Sequence, residues 1–137
     1  MSQARKQLKL ISFVQVLATV IAVVTGVMAV VSPATGEEGA FGMDAGTLSM
    51  LVGVLAVAAG IAAFLAAAQG IKGANVPSRL GAHTQVNVAS LLFAVIAVVL
   101  SIAGGASSAA SLAACLVLVT DVIAATRGAK VRKELDR

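Results

Sequence analysis

One carboxylate, Asp121, lies inside an apolar run, Leu116-Val117-Leu118-Val119-Thr120-Asp121-Val122-Ile123, in which every neighbour but Thr120 is aliphatic. A carboxylate in such a setting is costly and is read by default as a functional site, suited to holding a proton or a small cation. Arg127 follows six residues later, ~9 Å along a helix, so the competing expectation is that Asp121 leans towards the basic end and pairs with it. Gln15 stands six residues after Lys9, at a matching depth in its own apolar run, and Asn87 and Ser90 enter another run from the same side. These placements predict a polar layer of Gln15, Asn87, Ser90 and Asp121, with Thr120 beside it. Hydrogen bonds between helices in lipid average only ~0.6 kcal/mol and reach ~1.7. Such a layer therefore serves helix register as well as it serves ligand binding.

Other reactive side chains are few. His83, the single histidine, is expected in a loop near Arg79, solvated and free to titrate near neutral pH. Cys115 is the single cysteine, which excludes an intrachain disulfide and any multi-cysteine metal site, and it is expected to pack as a small apolar side chain. Glu37, Glu38 and Asp44 are spaced too irregularly for a calcium loop. The chain has no Ser/His/Asp constellation, no paired-histidine zinc motif, no phosphate-binding glycine loop and no dinucleotide fingerprint. No metal, cofactor or enzymatic activity is expected.

The polar residues are embedded in a very apolar chain. Of 137 residues, 59% are hydrophobic and 12% charged, where a soluble domain carries ~25% charge. A soluble protein of this size leaves too much surface in water to hide that composition, and a disordered chain would need the opposite balance. The fold class implied is an all-α integral membrane protein.

Four apolar stretches are predicted to span: 10–31, 47–70, 85–104 and 106–126. Each matches the ~20 residues that a helix needs to cross ~30 Å of hydrocarbon, and none alternates as a barrel strand would. The first is too long for a signal-peptide core and is expected to remain as a span. Pro33 and four glycines mark the first connection, and Gly73, Pro77 and Gly81 mark a second over Lys72–Thr84. The third, near Gly104-Gly105-Ala106-Ser107, is so short that the last two helices should be antiparallel neighbours. Thr47 is expected to cap the second helix, and Ser107 or Ser108 the fourth.

Charge orients this four-helix antiparallel bundle. Arg5, Lys6 and Lys9 precede the first span, Lys72 and Arg79 lie between the second and third, and Arg127, Lys130, Arg132, Lys133 and Arg137 follow the fourth. All ten basic residues thus fall on one side, opposite Glu37, Glu38 and Asp44. The positive-inside rule then places both termini in the cytoplasm and the protein in the cell membrane. The basic tail, 127–137, is expected to meet anionic lipid. That accounts for the net charge of +4 without nucleic acid.

Two further patterns concern partners. Val20-Ile21-Ala22-Val23-Val24 recurs as Val95-Ile96-Ala97-Val98-Val99, and Ala66-Ala67-Ala68-Gln69-Gly70-Ile71-Lys72 lines up with Ala124-Ala125-Thr126-Arg127-Gly128-Ala129-Lys130. This is the pattern of a parallel duplication of a two-helix hairpin. Small residues also recur at helical spacing: Ala18, Ala22 and Gly26; Ala58, Ala62, Ala66 and Gly70, beside Ala59, Ala63 and Ala67; Ala97, Ser101 and Gly105; Ser107, Ser111 and Cys115. Such faces allow close helix approach in lipid, within the bundle or against a second copy or another membrane protein. The leading expectation is a small membrane protein acting through helix association. The alternative is a proton- or cation-coupled transporter or channel using Asp121.

Overall fold

The computed structural model describes residues 1–37, 39–104 and 108–136. They form α1 (Gln3–Val31), α2 (Ala45–Asn75), a 3-10 turn (Pro77–Arg79), α3 (Leu80–Ala103) and α4 (Ala109–Leu135), with no strand among them. All four helices are long and apolar enough to cross a membrane. α1 packs on α2 and α4, α3 packs on α2 and α4, and α2 and α4 also touch across the centre.

The helices run further than the apolar stretches. The segment expected as a loop over Lys72–Thr84 is almost entirely helical: α2 continues to Asn75, and only Val76 and one 3-10 turn separate it from α3. Pro77 starts that turn, where its missing N–H costs nothing. Gly73 does not break α2, because it lets Leu80 lie against the helix backbone; a Cβ there would stand 2.7 Å from Leu80 Cδ2. The segment expected as a basic tail is likewise the end of α4, helical to Leu135. These extensions have a core of their own in Ala4, Leu8, Ala74, Leu80 and Val131. Nearby, Ser2 Oγ donates to Glu134 Oε2 at 2.7 Å.

Two caps start helices after loops. Ser108, not Ser107, caps α4 through a reciprocal bond with Ser111; Ser107, Gly105 and the residues expected to turn there lie outside the described residues. Asp44, rather than Thr47, is the N-cap of α2. Its Oδ1 accepts from the Thr47 N–H at 2.7 Å and its Oδ2 from the Thr47 hydroxyl at 3.2 Å. Those two bonds favour the ionised form and hold the Asp44 carboxyl below the usual range.

Inside the bundle the buried positions advance by alternating steps of three and four residues. They are Leu8, Ser12, Gln15, Thr19, Ala22 and Gly26 on α1, and Val52, Ala56, Ala59, Ala63, Ala66, Gly70 and Gly73 on α2. α3 contributes His83, Asn87, Ser90, Ala94, Ala97 and Ser101, and α4 Ala110, Ala114, Val117, Asp121, Ala124, Gly128 and Val131. This 3.5-residue repeat is the spacing of a left-handed helical bundle. Residues such as Leu17, Val24, Phe64, Ile102 and Leu112 point outward instead. Lipid gives no drive to bury large apolar groups, so small residues line the contacts and large ones meet the acyl chains.

The α2 seam differs from the stripe expected from sequence. Ala66 and Gly70 are interior, but Ala58 is only half-buried and Ala62 lies at the rim, while Ala59 and Ala63 are fully buried. A stripe of i, i+4 steps drifts around a helix, whereas alternating steps of three and four stay on one side. On α1, Ala18, Ala22 and Gly26 are all buried as expected. On α4, Ser111 is buried but Cys115 is exposed, correcting its expected packing role.

The backbones of α1 and α2 come close at Gly26 and Gly53. A Cβ on either would stand 2.7 Å from the other's carbonyl oxygen. Gly26→Ala or Gly53→Ala should destabilise the bundle by about 1–3 kcal/mol, because the obstacle is backbone and cannot turn aside. Gly81, with nothing within 4 Å of an added Cβ, is the control; Gly81→Ala should be neutral or stabilising by ~0.4–1 kcal/mol. Denaturation in mixed micelles followed by circular dichroism measures both, and equal stability of Gly26→Ala and Gly81→Ala would contradict the close crossing.

Candidate functional site

The four residues expected to form a polar layer do meet. Gln15, Asn87, Ser90 and Asp121 are at most 1% exposed and come from three helices. They hold inward heptad positions, so no side chain has to leave its own seam to reach the others.

Gln15 Nε2 donates both its hydrogens, one to Asn87 Oδ1 and one to Asp121 Oδ1, each at 2.8 Å. Asn87 Nδ2 donates to the Asp121 backbone carbonyl at 2.9 Å. Ser90 Oγ lies 2.5 Å from Asp121 Oδ2 and 3.1 Å from the Ala59 carbonyl of α2. The network therefore touches all four helices. Asp121 turns to α1 and α3 rather than along its own helix to Arg127, which is half-buried near Gln3, Gln7 and Glu134. Thr120 is buried but bonds back to the Val117 carbonyl and stays out of the cluster.

Hydrogen counting exposes what this arrangement can do. A serine hydroxyl has one hydrogen, yet Ser90 faces two oxygens, one of them a backbone carbonyl that can only accept. If Ser90 donates to Ala59, the short contact to Asp121 Oδ2 needs a hydrogen from the carboxyl itself. A neutral Asp121, donating to Ser90 Oγ, satisfies every atom of that chain. An ionised Asp121 instead draws the Ser90 hydrogen and leaves the Ala59 carbonyl without it. Gln15 Oε1 is also buried without a partner. The cluster is thus rich in acceptors and short of hydrogens, the chemistry of a site that takes up a proton. Sodium or potassium would need several oxygens arranged around an open centre, whereas here both carboxyl oxygens already touch protein donors.

His83, expected in a solvated loop, is instead 1% exposed on the inner face of α3. Its position, four residues before Asn87 and seven before Ser90, continues the α3 heptad. That spacing was the available signal, masked by the proline and glycines that make the preceding segment read as a loop.

The two halves of the chain place their buried residues alike. Adding 75 to the inner positions of α1 from Leu8 to Gly26 gives those of α3 from His83 to Ser101, and adding 58 to those of α2 gives those of α4. Asp121 thus corresponds to Ala63, Ser90 to Gln15, Asn87 to Ser12 and His83 to Leu8. The site's ionisable residues both lie in the second half.

Comparison with protein-family models, curated proteins and solved structures finds no match to this chain.

The bond between Gln15 and Asp121 can be isolated with Gln15→Ala, Asp121→Ala and the double variant. Their coupling should be about 0.6 kcal/mol, and at most ~1.7, read from unfolding in mixed micelles. Strict additivity would mean that this bond contributes nothing to stability.

Proposed function

We propose that this is a small proton-coupled membrane transporter or channel in which Asp121 is the proton-binding group. Gln15, Asn87 and Ser90 orient its carboxyl, and no chemistry beyond proton transfer is assigned to it. One observation carries the reading: a fully buried carboxyl occupies the position that the other half of the bundle fills with Ala63. At the corresponding position a methyl group fills the seam, so filling the seam does not by itself call for a carboxyl. A costly group that packing does not require points to a role in binding.

In this reading the bundle is antiparallel, a parallel duplication of a helical hairpin. Both termini face the cytoplasm, where the basic helix ends contact anionic lipid of the cell membrane. A proton held on Asp121 donates to Ser90, which donates to the Ala59 carbonyl; its release turns the Ser90 hydrogen back to the carboxylate. That switch touches α2, α3 and α4 at once, so protonation alters contacts between helices.

In proteoliposomes with an imposed potential and an internal pH dye, the native protein should conduct protons and Asp121→Asn should not. Asparagine keeps the shape but cannot release a proton at these pH values. Wild-type flux in Asp121→Asn would overturn the assignment, as would a native protein that conducts no more than protein-free liposomes.

A groove of about 530 Å³ between α2 and α3 favours a second, compatible reading, association with another copy. Ala58, Ala62 and Ala89 line it, and Gln85 lies exposed among them. An amide facing lipid gains a partner when a second copy presents its own. Ala58→Leu and Ala62→Leu should each shift the protein to smaller species by mass spectrometry from detergent. Unchanged mass in both would remove this face as a seam. Ala22→Leu is unsuitable, because Ala22 is wholly interior.

A further inference from the structure

We propose that His83 is a second proton-binding group of the bundle, placed beyond Asn87 from Asp121, and that its charge is coupled to that of Asp121. The coupling rests on the reading of Asp121 given above; proton binding at His83 does not.

The ring is held from one side only. Nδ1 lies 2.8 Å from the Ala66 carbonyl oxygen. A carbonyl has no hydrogen to give, so Nδ1 carries the proton and donates it. Nε2 of the neutral ring then bears a lone pair, and it is buried without a partner. An unmade bond of this kind is costly in an interior that water cannot reach. Packing does not account for it, because the corresponding position in the first half is Leu8, which has no polar atom to satisfy.

The surroundings form a slot around the imidazole. A Cβ on Gly70 would stand 3.1 Å from Nδ1, and a Cβ on Gly128 would stand 3.5 Å from Nε2. These two glycines are counterparts in the two halves, so the ring enters between the same point of α2 and of α4. Ser12 of α1 also lies against Gly70, its hydroxyl already turned to the Leu8 carbonyl. The ring is therefore held between α2 and α4, and neither offers Nε2 a donor.

The charged groups around this slot single out one partner. The inner face of α1 brings Ser12 and Gln15, and that of α2 brings Ala66 and Gly70, none of which titrates in water. Lys72 and Arg79 are exposed, Lys9 is half-buried outside the seam, and Arg127 is half-buried beside Gln3 and Gln7. α4 brings Asp121, two turns from Gly128 on the same face. Among the described residues, His83 and Asp121 are the only buried side chains that carry an ionisable group.

The proton balance is simple. A proton arriving from the basic end binds the Nε2 lone pair and gives an imidazolium, with Nδ1–H still donated to Ala66. Release of that proton restores the neutral ring, and Asp121, two turns from Gly128 along α4, acts on it through its charge rather than through contact. The same nitrogen accepts and releases, so the ring need not change tautomer or leave its bond to α2. While His83 is protonated and Asp121 ionised, each charge has the other as its countercharge in the interior.

Because His83 is the only histidine, ¹⁵N NMR of histidine-labelled protein in lipid nanodiscs reports this ring alone. At alkaline pH the spectrum should show a protonated Nδ1 and an unprotonated Nε2, and acidification should protonate Nε2 in the folded protein. Asp121→Asn, which removes the countercharge, should move that transition to lower pH. An Nε2 that stays unprotonated until the bundle unfolds would overturn proton binding at His83, and a transition unmoved by Asp121→Asn would overturn the coupling.

Proteoliposome flux separates this inference from the one it rests on. His83→Asn keeps a donor for the Ala66 carbonyl but removes the Nε2 lone pair, and it should shift the pH dependence of flux without abolishing flux. Should Asp121→Asn abolish flux while His83→Asn leaves its pH dependence unchanged, the coupling fails and the Asp121 reading survives. Absence of flux in the native protein defeats the transport reading, and the NMR titration still decides whether His83 binds a proton. If His83→Asn does not fold, His83→Leu, which copies Leu8, takes its place.

Discussion

Close approach of helix backbones is the constraint on which the rest of this structure depends. In water a bundle gathers its large apolar side chains at the centre; in lipid that drive disappears, and association relies on contact between surfaces. The chain meets the constraint with Ala, Gly and Ser at most inner positions and sends Leu, Val, Ile and Phe outward. Near the Gly26–Gly53 crossing, backbone almost meets backbone. Each larger inner residue is therefore an exception that needs a reason. Leu8, Leu80 and Val131 supply a conventional apolar core at the ends of the helices. Gln15, His83, Asn87 and Asp121 do not.

Those exceptions are unevenly divided between two similar halves. The inner positions correspond one to one, and pairs such as Ala22 and Ala97, Ala56 and Ala114, Ala66 and Ala124, and Gly70 and Gly128 match small residue with small residue. Where one member of a pair is ionisable, it lies in the second half: Asp121 against Ala63 and His83 against Leu8. The corresponding positions of the first half are filled by side chains without a charge.

Low internal polarity also makes hydrogen counting informative. Water cannot make up a missing bond in a sealed, lipid-embedded interior, so a surplus of acceptors persists as an unmet demand. Ser90 facing two acceptors, together with the unpartnered Gln15 Oε1 and His83 Nε2, concentrates that demand along one inner track. In the proposed function a proton meets that demand without any enlargement of the bundle.

Much of this was legible before the fold. Composition alone requires a lipid-embedded protein, because the apolar surface exceeds what a small soluble domain can bury. Run length gives four helices, and equal spacing of Gln15 and Asp121 from their flanking bases brings the polar cluster together. Tertiary structure decided what uniformity of the helices conceals. A helix that is apolar on every side shows no polar–apolar contrast, so sequence cannot say whether Ala58 or Ala59 faces inward; steric fit against neighbours does. The direction of Asp121, inward rather than towards Arg127, depends on donors from α1 and α3, residues 106 and 31 positions away. His83 reads as a loop residue because Pro77 and Gly81 flank it, yet Gly70 and Gly128, distant in the chain, open the slot that buries it. Local composition determined the class and span number of the protein; contacts between remote segments determined which of its polar atoms face each other.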